Sequence, residues 1–259
     1  MSAGVSQGRM IGHAERVMGT VVSFAMYPGE LGDAAVRSAL AQACRVLHEA
    51  DETFSTWKPQ SAMSRLRRGE AAVDELPTEV ATVLDLCERA KETSGGWFDP
   101  WAMPGGVDPT GLVKGWAAER ALAELVEAGV AAAMVNAGGD LAVYDRPAAD
   151  EPWRIGIRHP WRVDALACII EAHAAVATSG AYERGEHLID PGSGRPLTRA
   201  AAATVTGPSL AIADALATAL VVAGAREIGL VTSLAGYDAY VIGRDGSELA
   251  SDGIRFAPA

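Results

Sequence analysis

Three cysteines, Cys44, Cys87 and Cys168, are too few and too far apart for a disulfide framework, and none forms a Cys-X-X-Cys metal pair. They read as reduced core residues. Basic residues are also in deficit: 22 Lys and Arg stand against 33 Asp and Glu, a net charge of −11. Such a balance excludes a phosphate-backbone partner, because nucleic-acid binders need a basic footprint. No stretch reaches the roughly 20 unbroken apolar residues that span a bilayer, so no membrane insertion is expected. Met1 to Arg16 lacks the apolar region of a secretory signal and the cysteine of a lipoprotein, which makes the cytoplasm the expected location. Internal repeats, low-complexity tracts and long linkers are absent too. With 49% of its 259 residues hydrophobic, the chain reads as a single domain over 1–259, or two intimately packed lobes. An anionic substrate of so acidic a protein must be held locally, by a metal, backbone amides or a few placed cations.

The periodicity predicts a strand over Val17 to Met26 and an amphipathic helix over Asp33 to Thr53, with Asp33 as its cap. A polar, basic loop follows from Phe54 to Glu70, then helices over Glu79 to Glu92 and Val113 to Ala128. Strands are expected at Ala131 to Val135, Leu141 to Tyr144, Trp153 to Ile157, Ala167 to Glu171, Ala174 to Thr178 and Thr204 to Thr206. A hairpin turning at Asp245-Gly246 closes the chain. Helices and strands intersperse without a βαβ repeat, so the class is α+β, with mixed or antiparallel sheets and packed helices.

The chemistry-bearing feature is the run Ala211-Ile-Ala-Asp-Ala-Leu-Ala-Thr-Ala-Leu-Val-Val-Ala223. Its helical spacing puts Asp214 and Thr218 on one face, about a turn apart, in a segment that is otherwise hydrocarbon. A buried carboxylate needs a partner. Carboxylate plus hydroxyl is hard-oxygen ligation suited to Mg2+, and an Asp held by a salt bridge or a helix end is the competing reading. Asp108 to Gly115 puts glycines and Lys114 where a helix begins, an arrangement that presents amides and a cation to an anion, or a loop with Thr110 as a helix cap. Asn136-Ala-Gly-Gly-Asp140 allows close backbone approach at Gly138 and Gly139, or simply a tight turn. Thr178-Ser-Gly180 follows a strand. His187, in His187-Leu-Ile-Asp-Pro-Gly-Ser-Gly194, is the histidine whose neighbours suit a general base; the alternative is a hydrogen-bonded structural residue.

Taken in order, Met18-Gly-Thr20, Phe54 to Ser61 with Ser64-Arg-Leu66, Phe98-Asp-Pro100, Gly111 to Gly115, Asn136 to Asp140, Ala177 to Gly180, His187 to Gly194 and Ala213 to Ala219 resemble the FAD:protein FMN transferase family, the ApbE-type flavin transferases. The resemblance implies an ApbE-like (T-fold-like) architecture with the site in a cleft between lobes. It further implies a Mg2+-dependent enzyme that moves FMN from FAD onto a Thr or Ser of an acceptor flavoprotein. Asp214 and Thr218, helped by the backbone carbonyl of Val113, are then the metal ligands and His187 is the base. Gly138, Gly139, Asp140, Thr178, Ser179 and Gly180 shape the FAD pocket, Lys114 sits near the phosphates, and Met18 and Trp57 lie near the rings. The chain departs from the family pattern in a shortened segment from Trp101 to Pro109, in Trp57 for a usual Tyr, in Arg67 for a frequent Asn and in Glu119 for a usual Asp. FAD pyrophosphatase activity without a protein acceptor, and flavin binding without turnover, are the alternative functions.

Overall fold

Residues 9–144, 152–180 and 188–258 are described by the computed structural model, and they begin with a hairpin. β1 (Ile11–Val17) pairs antiparallel with β2 (Thr20–Tyr27), leaving Met18 and Gly19 alone in the turn. Both have left-handed backbones, φ 52° and 68°, as a two-residue turn matched to strand twist requires. The single strand expected from Val17 to Met26 is thus broken after Val17, and His13 lies in a strand of its own ahead of it. β1 is an edge strand with mostly exposed side chains, so it carries no apolar alternation to read.

Four helices intervene before the next strand. α1 (Asp33–Phe54) buries Val36, Ala39, Ala43, Val46, Leu47, Ala50 and Phe54; its cap position is Gly32, so Asp33 is the first helical residue and not the cap. α2 (Ala62–Arg67) lies inside the segment expected to be loop, and the Ser61 hydroxyl caps it by accepting from the Ser64 amide at 2.9 Å. α3 (Thr78–Thr93) follows, then α4 (Thr110–Ala128), whose cap position is Pro109 instead of Thr110.

The chain continues through β3 (Ala132–Ala137), β4 (Asp140–Tyr144), β5 (Trp153–Arg158), β6 (Leu166–Ala172), β7 (Ala175–Gly180), the short pair β8 (Ile189–Asp190) and β9 (Arg195–Pro196), and β10 (Ala200–Gly207). α5 (Leu210–Ala223) and α6 (Ile228–Thr232) precede the closing strands β11 (Asp238–Gly243) and β12 (Glu248–Ala250). One antiparallel sheet of eight strands runs β1-β2-β3-β4-β7-β10-β11-β12. The α+β class expected from the sequence is the observed one.

Side-chain alternation along the central strands makes three layers. Ala142, Ala175 and Ala177 face the main core under the helices, whereas Leu141, Val143 and Val176 face a second core under the β5–β6 hairpin, with Ile155, Ile157 and Ile170. No helix among the described residues is long and apolar enough to cross a membrane. The three cysteines are free thiols; Cys87 is buried as expected, but Cys44 and Cys168 are only partly so.

Candidate active site

α5 is built almost wholly of Ala, Leu, Ile and Val and packs on α4, β7 and β10, so every turn of it is enclosed. Only Ile212 and Thr218 escape full burial along it. Asp214 is 5% exposed, and a carboxylate that deep must meet positive charge or donors. Among its partners is Lys114 of α4, with Nζ 3.2 Å from Oδ2 across 100 residues of sequence. The same ammonium pairs with the carboxylate of Asp140, the first residue of β4. Asp214 is therefore salt-bridged, as the competing reading supposed, yet it also opens onto a cavity.

That cavity measures about 540 Å³, within the roughly 300–1,000 Å³ of small-molecule and cofactor sites. Lys114, Gly138, Asp140, Thr178, Ser179, Asp214 and Thr218 line it together. The β3–β4 turn reaches its wall because Gly138 and Gly139 take φ of 68° and 108°, with the Gly139 amide donating to Asn136 Oδ1 at 2.8 Å. A side chain at Gly138 would strike Thr20 Oγ1 at 2.9 Å. Asp140 is fixed by accepting from the Thr178 amide at 3.2 Å. Thr178 shares a hydroxyl hydrogen bond with Thr204 at 2.9 Å, and Ser179 shares one with Thr218 at the same distance.

Gly139, Gly180, Met18, Trp57 and Val113 do not line the cavity. Met18 sits in the β1–β2 turn against the main core, Trp57 is 90% exposed, and Val113 is buried in the first turn of α4, where a loop carbonyl was expected. His187 lies outside the described residues, although Leu188 and Ile189, which follow it, line the cavity. Sequence reasoning missed Arg158 of β5, which also lines it and carries no local motif, and it placed Thr20 of β2 in the Met18-Gly-Thr20 stretch without assigning it to the cavity wall it forms.

The donor set fits a hard divalent cation. Two carboxylates share one ammonium, which leaves one negative charge facing the cavity, and all the nearby donors of Asp140, Ser179, Asp214 and Thr218 are oxygens.

A sequence profile described as the ApbE family matches residues 18–106 and 102–241. This chain belongs to the ApbE family. A protein named FAD:protein FMN transferase from Rhodobacter capsulatus is 33% identical over 159 residues, 58% of this chain and 30% of that one. Its namesake from Vibrio cholerae is 37% identical over 139 residues, 49% of this chain and 41% of that one. The aligned stretches span less than half the length of these curated relatives. The crystal structure of the ApbE protein from Thermotoga maritima is alike in fold, with a TM-score of 0.82 at 20% identity over 94% of this chain and 97% of that one.

Arg67 and Glu119, two residues expected from the resemblance to depart from the family pattern, have visible structural work. Arg67 donates to the carbonyls of Val107 at 3.0 Å and Pro104 at 2.9 Å and pairs with Asp108 at 3.3 Å. It thereby staples the segment from Trp101 to Pro109, of which Ala102 and Met103 are cavity wall, with Pro100 and Thr110 lining the cavity on either side of it. Glu119 accepts from the first amide of α5, Leu210, from the Ala211 amide at 3.5 Å and from the Ser209 hydroxyl at 3.3 Å. An anion at a helix start satisfies amides that have no partner in the helix. Burial nonetheless holds the Glu119 carboxyl above its usual range, with the α5 amides and Ser209 pulling the other way. Gly115, one turn before Glu119, makes this contact possible: a Cβ there would meet the Leu210 carbonyl oxygen at 2.8 Å.

Proposed function

We propose that this chain transfers the FMN part of FAD to a threonine or serine hydroxyl of an acceptor flavoprotein, releasing AMP, with Mg2+ held by Asp214 and Thr218. The observation that carries the reading is the meeting of Asp214, Thr218, Asp140 and Lys114 in one cavity with the glycine turn at 138. The names of the relatives agree with it. Asp140 is a better-placed third oxygen ligand than the Val113 carbonyl, because its carboxylate already shares a cation with Asp214.

In this reading Asp214 and Thr218 would hold Mg2+, which would supply charge neutralisation at the pyrophosphate oxygens for cleavage. Lys114 keeps a second positive charge beside those oxygens. Gly138 lets a phosphate approach the backbone, and the Thr178 and Ser179 hydroxyls offer donors on the opposite strand. The acceptor hydroxyl oxygen bonds to the FMN phosphorus, AMP leaves with the bridging oxygen, and the hydroxyl proton passes to His187. Trp57, exposed outside the cavity, suits contact with the acceptor or with a projecting ring of FAD better than a place in the cavity wall.

The test is incubation with FAD and Mg2+, with and without an acceptor bearing an exposed threonine, following AMP and flavin-labelled protein. Flavin on the acceptor in step with AMP is the expected result. AMP release indifferent to the acceptor overturns transfer in favour of hydrolysis, and tight flavin binding without AMP overturns catalysis altogether.

A further inference from the structure

A second group of ligand-type side chains sits where the edge strand meets the first helix. β1 contributes His13 and Glu15, two residues apart and therefore on one face of the strand. α1 contributes Cys44 and His48, four residues apart and therefore on one face of the helix. His13 Nε2 lies 3.5 Å from Cys44 Sγ and 3.6 Å from Glu15 Oε2, and His48 Nε2 lies 3.0 Å from Glu15 Oε1. One ligand atom each from His13, Glu15 and Cys44 falls within 4.8 Å of the other two. None of the four residues lines the cavity.

We propose that His13, Glu15 and Cys44 form a zinc site, with His48 orienting the Glu15 carboxylate, and that the ion clips edge strand β1 to α1. The distances suit it: with Zn–N, Zn–S and Zn–O bonds of about 2.0–2.3 Å in a tetrahedron, ligand atoms stand about 3.3–3.8 Å apart. Two of the three edges already do so. One nitrogen, one sulfur and one carboxylate oxygen form a borderline-soft set that selects Zn2+ over Mg2+. The hydrogen bond from His48 to the far oxygen of Glu15 is the outer contact that fixes a ligating carboxylate. His13 and Glu15 keep 37% and 28% of their side-chain surface, so water has access to the fourth position. An arriving ion would displace the Cys44 thiol proton to solvent as the sulfur–metal bond forms.

The site stands independently of the flavin-transfer reading, and its failure would leave that reading untouched. The experiment strips the whole chain of metal with a chelator, saturates it with Mg2+, then titrates Co2+ as a spectroscopic probe and Zn2+ as its competitor. One equivalent of Co2+ should give a thiolate-to-metal charge-transfer band that Zn2+ abolishes. Zn2+ at a hundredfold excess over its Kd should raise Tm by about 5–10 °C. Cys44→Ser should lose both effects while its metal-free Tm stays that of the wild type. His48→Gln should weaken Zn2+ binding about tenfold or more with the band retained. Asp214→Ala should keep the band and the Tm shift, which separates this site from the cavity. Should Cys44→Ser fail to fold, His13→Gln carries the comparison by the same two readouts. A wild-type protein without the thiolate band, or Zn2+ stabilisation that survives in the cysteine or His13 variant, overturns the proposal.

Discussion

α1 and α5 both pack into the main core, yet they use it in opposite ways. α1 buries seven of its 22 residues along one stripe, flanks it with partly buried residues such as Leu40 and Cys44, and turns the remaining face to solvent. α5 buries twelve of its 14. A polar residue on α1 is ordinary surface, whereas on α5 it stays only if something answers it. The two polar residues of α5 are the ones that meet the cavity. What the pair teaches is that burial on all sides makes a polar residue informative, more than residue type alone.

Substitutions can break this contrast. Asp214→Ala on α5 should abolish Mg2+-dependent FAD cleavage, by roughly a thousandfold or more, because several kcal/mol of charge stabilisation goes with the ion. Circular dichroism should show the fold retained, and wild-type AMP release would remove the metal assignment. His187→Ala should lower FMN transfer by about 10²–10⁴-fold while FAD affinity is kept; an equal loss in both, measured by equilibrium binding beside the rate, would make the residue structural. Gly115→Ala pushes a methyl group into the start of α5 and should cost about 1–3 kcal/mol in chemical denaturation. An unchanged midpoint would mean the two helices are free to separate there.

A smaller effect is expected from Glu119→Gln. The Glu119 carboxyl is raised above its ordinary value of 4.5, chiefly by burial, so between that value and its folded-state pKa the folded chain binds the proton more tightly than the unfolded one. Its contribution to stability is complete below 4.5 and is lost as pH climbs through the raised value. Relative to Glu119→Gln, the wild type should lose Tm as pH rises through that window; parallel curves in calorimetry would contradict the assignment. On the exposed side of α1, Arg37→Ala should shift stability by less than about 0.5 kcal/mol. A larger loss there would end the contrast between the two helices.

Much of the fold was legible because central strands and long helices write their burial into the order of residues. α5, the β3–β4 turn and the closing hairpin all fall where periodicity and turn chemistry put them. β1 and α2 escaped notice because the one is a mostly exposed edge and the other a six-residue helix among polar neighbours. At the site, Asp214 with Thr218 was visible as a spacing, and Lys114 and Asp140 as separate motifs. That one ammonium would join both carboxylates was not visible, since the contact spans 100 residues and depends on α4 crossing α5. Glu119 was noticed as a departure in residue type, but its grip on the start of α5 is a tertiary contact that no local pattern announces.

Lys114 gives the chain a resident counter-ion. Two acids that would repel each other in an empty pocket are held ready by a charge the protein carries itself, so the chain can mature before any divalent ion arrives. On the proposed reading an incoming Mg2+ would have to outcompete a tethered amine, so its loading would answer to the free ion outside while the scaffold would not depend on it. Withdrawal of magnesium should accordingly silence such a protein without melting it.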